Sequence, residues 1–161
     1  MTSGPQLTNI ERLTLADEIR ELMARYVRYA DEKRWDALAQ LFTPDGSFTP
    51  LDVAGKPLAQ MEGREAIARV IDASVGNATA IHHLFSYEIA LESSSRATGI
   101  FAMEDLVVKP DGAEVAPASD SGVPAFRKLH GYGHYRATFA KASGEWAIAK
   151  LTLTRTKLDL T

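Results

Sequence analysis

Apolar positions in the first third of the chain recur at helical spacing. Leu15, Ile19, Leu22, Met23, Tyr26, Val27 and Ala30 trace one stripe of an amphipathic helix. Thr14, with Asp17 three residues on, has capping-box spacing and is the expected start. Tyr26 lies inside the stripe and Tyr29 on its edge, so both rings are expected to face the interior, where each hydroxyl needs a partner. Asp31 falls opposite the stripe if the helix continues, and can face a pocket only if the helix ends near Ala30. The run Asp31-Glu32-Lys33-Arg34-Trp35-Asp36 reads as such a joint, because apolar spacing restarts at Trp35 and continues through Leu38, Leu41 and Phe42. Pro44-Asp45-Gly46 is expected to stop this second helix with turn chemistry. A short strand is expected over Ser47 to Leu51. A third helix is expected from Gly63 to about Ala73, with Ala66, Ile67, Val70 and Ile71 inward.

From residue 78 the period changes to two. Ala78 to Glu92 reads as a long strand with Ile81, His83, Phe85, Tyr87, Ile89 and Leu91 on one face and His82, Leu84, Ser86, Glu88 and Ala90 on the other. The first face is the more apolar, so His83 is expected inward and His82 outward. Arg96 to Val108 follows, with Phe101, Met103, Asp105 and Val107 sharing one side and Glu104 on the other. Residues 109–127 form a polar loop too long for a plain hairpin. Lys128 to Lys141 is the next strand, with His130, Tyr132, His134 and Arg136 on one face; Trp146 to about Leu158 is the last, rich in threonine. Helices first and an antiparallel meander after them predict an α+β fold, with helices gathered on one face of a curved sheet around a mostly apolar pocket.

The chain's 161 residues fit one domain, expected over 10–161 behind a loose tail at 1–9. No apolar run reaches bilayer-spanning length, and the N-terminus lacks a secretory pattern. Zero cysteines exclude disulfides, thiolate metal sites and a cysteine nucleophile; a cytoplasmic location is the default expectation. A net charge of −3 without a basic cluster gives no footprint for nucleic acid or an anionic membrane surface.

The order of elements, with "YVRYADEKRWDALAQLFTPDGSF", "GREAI", "IHHLFSYEI" and "GYGHYRATFAKASGEWAIAKLTLTR", resembles the SnoaL-like branch of the NTF2-like superfamily, related to scytalone dehydratase, bile-acid 7α-dehydratase and hexachlorocyclohexane dehydrochlorinase. The resemblance runs from about Ile10 to Leu158. It implies a cone-shaped fold and a cofactor-independent lyase, a dehydratase acting on a hydrophobic cyclic small molecule such as a steroid or polyketide. It also implies a homo-oligomer, dimer or trimer. Of the residues, Asp31 matches the orienting Asp, one of His82 and His83 matches the base, and Tyr26 matches the tyrosine that binds substrate oxygen. Strand alternation favours His83. Tyr29, Tyr87, Phe85, Asp105 and His130 are the expected substrate-binding residues. Several relatives carry an arginine soon after the last-strand tryptophan; here only Lys150 is near Trp146, and Arg155 comes later.

Such an elimination needs a base near neutral pKa beside a carbonyl and a donor for the departing oxygen. Imidazole suits the first task, and a carboxylate on its other nitrogen fixes the tautomer. The fold alone does not decide this activity: it also hosts isomerases, cyclases and binding domains without turnover. Asp31 by itself could be only a helix cap, and a histidine on an apolar strand only a core residue. His130 and His134 could form a second base, a zinc pair or a solvated face. Metal is the weakest of these, because no third ligand stands at supporting spacing, and no cofactor is expected.

Overall fold

The computed structural model describes residues 7–117 and 122–161. Most of the expected 1–9 tail therefore lies outside the described residues. Helix α1 (Asn9–Asp31) begins earlier than its expected Thr14 start. Thr8 is the N-cap and Glu11 completes the reciprocal capping box, with Thr8 N–H donating to Glu11 Oε2 at 2.7 Å. Leu15, Ile19, Leu22, Met23, Tyr26 and Ala30 are its buried stripe, as the spacing predicts. Helix α2 (Trp35–Gln40) is shorter than its apolar spacing suggests.

Strand β1 (Phe42–Pro50) starts where that helix was expected to continue. Pro44-Asp45-Gly46 does not end an element. It forms an irregularity inside the strand, where pairing with the last strand jumps from Phe42↔Ile148 to Ser47↔Lys150. Gly46 is required there, since a Cβ would lie 2.9 Å from the Ile148 carbonyl oxygen. The two-residue strand β2 (Met61–Glu62) has no sequence signal of its own; it pairs with β1 just before helix α3 (Arg64–Val75).

Strands β3 (Thr79–Leu91), β4 (Arg96–Val108), β5 (Lys128–Ala142) and β6 (Glu145–Leu160) form the antiparallel meander. The six-stranded sheet runs β2-β1-β6-β5-β4-β3, with β1 parallel to β6. It remains open, and helices cover one face, which is the expected α+β architecture. Phe101, Met103, Tyr135, Phe139, Ile148 and Leu151 meet the stripe of α1 in the main core. No described helix is long and apolar enough to cross a membrane.

Strand β3 departs from simple alternation. Leu84 pairs with Met103 but Tyr87 with Phe101, so β3 carries one residue more than β4 over this stretch. This bulge reverses the phase of the strand. Before it, Ala80, His82 and Leu84 face the helices; after it, Ile89 and Leu91 do. Ile81 and Phe85, expected inward, are exposed, Phe85 at 61%, whereas Tyr87 is half-exposed on the helix side, stacked with Phe101. His83 lies with Ile81 on the outer face, and His82 turns inward.

The bulge makes a stability prediction. Phe85→Ala should change the unfolding free energy by no more than about 0.5 kcal/mol, as at exposed positions generally. Ile89→Ala should cost about 2 kcal/mol, because Ile89 packs against the core. Urea denaturation of the two variants checks this, and equal losses would contradict the phase change.

Candidate active site

The cavity between the inner sheet face and the helices has a volume of about 130 Å³. Its walls are mainly apolar: Leu38 and Val70 from the helices, Phe48 and Leu153 from the sheet, and Val123 and Phe126 from the segment before β5. Besides Ser74, whose hydroxyl donates to the Val70 carbonyl, the polar side chains that reach it among the described residues include Tyr26, His82, Asp105, Tyr135 and Arg155.

His82 is held from outside the cavity. Its Nδ1 lies 2.7 Å from Asp31 Oδ1, and its side chain is only 12% exposed. An ionised carboxylate only accepts hydrogen bonds, so Nδ1 carries the hydrogen, and in the neutral imidazole Nε2 keeps its lone pair. Asp31 is the last residue of α1, one helical turn beyond Val27, which packs against the core. It thus flanks the buried stripe rather than opposing it, and reaches β3 without the helix breaking at Ala30. The chain then turns away through Lys33 at φ 57°, with Arg34 N–H bonded to the Tyr29 carbonyl at 2.8 Å. Tyr29 does not enter the cavity. Its ring lies between the Arg28 and Arg34 guanidiniums, at 4.7 and 4.6 Å, beside the turn that carries Asp31.

Tyr26 and Tyr135 stand edge to face, with ring centroids 5.6 Å apart. Burial pushes both hydroxyls well above the ordinary tyrosine range, with nearby Asp105 adding to the effect. Both remain neutral hydrogen-bonding groups.

Asp105 and Arg155 form a buried bidentate pair. Arg155 Nη2 donates to Asp105 Oδ2 at 2.7 Å and Nη1 to Oδ1, and the side chains are 5% (Arg155) and 7% (Asp105) exposed. Arg155 Nε is buried without a partner among the described residues. The guanidinium occupies the space where a side chain on Gly131 would stand. A register shift between Tyr132 and Gly133 sets Gly133 opposite Arg155 and places this late arginine at the cavity.

The other expected residues lie elsewhere. His83 is 60% exposed on the outer face, 3.4 Å from Glu104 Oε2. His130 Nε2 lies 2.7 Å from Glu104 Oε1 on the same face, with no place at the cavity. Hydrogen bonds from His130, Tyr132 and His83 hold the Glu104 carboxyl below the usual carboxylate range. Phe85 and Tyr87 border a surface groove beside α1, with Arg20 over the Tyr87 ring at 4.9 Å. Tyr26 and Asp105 therefore line the cavity and Asp31 supports it, whereas His83, Phe85, Tyr87, Tyr29 and His130 do not reach it. His82, Tyr135 and Arg155 complete it. Among the described residues, no group of three His, Asp or Glu side chains is placed to hold a metal ion.

Two predictions concern the buried polar groups. Tyr26 and Tyr135 bind their protons more tightly folded than unfolded, so their stabilising contribution is whole below the ordinary tyrosine value of about 10 and is lost as pH rises through and above it. Unfolding free energy should fall above that pH, and Tyr26→Phe should make the decline shallower. Gly131→Ala should destabilise by about 1–3 kcal/mol, because the added methyl meets the Asp105–Arg155 pair. Denaturant titration across pH reads the first, and thermal or urea unfolding the second.

Comparison with known proteins places this site in a fold family. No curated protein matches the chain significantly. Solved structures do match at full-fold level. A candidate scytalone dehydratase from Novosphingobium aromaticivorans superposes with TM-score 0.77 at 18% identity, covering 96% of this chain and 92% of that one. The Kfla4162 protein from Kribbella flavida gives 0.74 at 24% identity, with 92% and 95% covered. Hexachlorocyclohexane dehydrochlorinase LinA-type3 from Novosphingobium barchaimii gives 0.72 at 15% identity, with 96% and 94% covered. Similarity at these identities concerns the fold. Residues 11–152 match the model of the SnoaL-like domain, and the chain belongs to that family.

Proposed function

We propose that the protein is a cofactor-independent lyase that removes water from a small cyclic β-hydroxy ketone, with His82 as base. The observation that carries this reading is the 2.7 Å contact between His82 Nδ1 and Asp31, behind an imidazole that lines the cavity. His82 Nε2 takes the proton from the carbon beside the substrate carbonyl. The electron pair left behind forms the carbon–carbon double bond as the bond to the β-oxygen breaks. The imidazolium then returns its proton to the departing oxygen, which leaves as water. Asp31 fixes the tautomer and stabilises the transient imidazolium. Tyr26 stays protonated and donates to the carbonyl oxygen, where charge builds up; the apolar walls strengthen that bond by excluding water.

The cavity size narrows the substrate. A volume of about 130 Å³ is close to that of the engineered apolar cavities of roughly 150 Å³ that bind benzene. A volume of this order suits a single ring. An isomerase using the same base would move the proton without losing water, so product mass separates the two.

Turnover of single-ring β-hydroxy ketones, followed by mass spectrometry, tests the proposal. His82→Asn should lower kcat by about 10²–10⁴-fold, the usual range for a positioned general base. Asp31→Asn should lower it by about 10²-fold with little change in KM, and His83→Asn should leave it within about twofold. Equal loss from His82→Asn and His83→Asn, or no loss from either, would sink the assignment.

A further inference from the structure

An arginine in an active-site cavity ordinarily invites an anionic ligand. This one is differently arranged. Both terminal nitrogens of Arg155 are engaged by Asp105, inside a pair almost wholly removed from water. The pair is neutral, and its donors on that edge are used. Asp31 stands behind His82 and adds a second carboxylate near the cavity. With a neutral imidazole, the formal charges of Arg155, Asp105 and Asp31 leave a surplus of one negative charge. The remaining walls carry no formal charge, so a charge entering the cavity would lose its hydration without finding an opposite charge to replace it. The hydroxyls of Tyr26 and Tyr135 line the cavity and can donate to a neutral acceptor oxygen.

We propose that Asp105 sets the charge selectivity of this site: by neutralising Arg155 it makes the cavity take uncharged single-ring ligands bearing an acceptor oxygen and reject carboxylates of the same shape. The proposal adds the charge class of the ligand to the lyase reading and rests on that reading only for calling the ligand a substrate. Binding itself can be measured without turnover. Asp105 and Arg155 are, in this account, specificity-determining residues, and the reacting proton belongs to His82.

The test uses two ligands of nearly the same shape. Cyclohexyl methyl ketone and cyclohexanecarboxylate differ by a methyl group in place of an anionic oxygen, and both fit a one-ring cavity. Calorimetry or ligand-observed NMR on the whole protein at neutral pH gives their affinities. The ketone should bind at least about tenfold more tightly to the wild type, a difference of 1.4 kcal/mol. Asp105→Asn keeps the shape of the side chain but leaves the Arg155 charge uncompensated. This variant should gain at least about tenfold in carboxylate affinity, bringing it level with the ketone or above it. Wild type binding the carboxylate as well as the ketone, or binding neither, would overturn the proposal. So would a folded Asp105→Asn protein with unchanged preference. If Asp105→Asn does not fold, the wild-type pair still decides. Loss of the predicted selectivity with His82-dependent turnover intact would remove this inference alone; selectivity without turnover would remove only the lyase reading.

Discussion

The site depends on one extra residue in an edge strand. Between Leu84 and Tyr87, β3 carries one residue more than its partner β4, and side chains beyond that point change faces. The first half of the strand can then turn His82 inward while the second half still buries Ile89 and Leu91 against the core. Without the bulge, one of these would have to fail. Uniform alternation with Ile89 and Leu91 buried would put His83 beneath the helix and His82 in solvent. The strand's folding requirement and the site's chemical requirement are met in the same thirteen residues because the ladder shifts between them.

A second constraint is how the interior holds its charges. Asp105 and Arg155 lose most of their hydration, and attraction between them offsets that loss only because the fork is bidentate and both carboxylate oxygens are used. Gly131 gives the guanidinium its place on the sheet. The Asp31–His82 pair is arranged otherwise. Its carboxylate is one-third exposed at the end of a helix, and its imidazole reaches inward. One pair is closed on itself; the other leaves a ring nitrogen uncommitted. On the outer face, Glu104 draws His83 and His130 together with Tyr132, which accounts for the polar residues there without any part in the cavity.

Most of the fold was legible because it rests on local pattern. The stripe of α1 follows helical spacing residue by residue, and β4 has the limits its alternation predicts, with Asp105 inward and Glu104 outward. What was not legible rests on pairing. A bulge is defined by the count of residues on a neighbouring strand, and nothing in Leu84-Phe85-Ser86-Tyr87 announces it. The choice of His83 followed from carrying one phase through the whole strand. Arg155 lies nine residues beyond Trp146, and the register shift opposite Gly133 is likewise a property of two strands together. Pro44-Asp45-Gly46 carried a true irregularity, but a parallel neighbour turned it into a bulge. The Tyr29 ring stood at the stripe's edge as expected, and two flanking arginines claimed it for the helix end.

His82, not His83, is the residue we propose presents an unprotonated Nε2 to the cavity, its Nδ1 hydrogen held by Asp31. Nitrogen-15 NMR of the imidazole side chains reads this directly. His82 should be in the Nδ1–H form, with a strongly deshielded Nδ1 proton that disappears in Asp31→Asn, and its Nε2 signal should move when a one-ring ketone is added while the His83 signals stay in place. A carboxylate-bound proton on His83 that depends on Asp31, or an Nε2–H tautomer at His82, would contradict it.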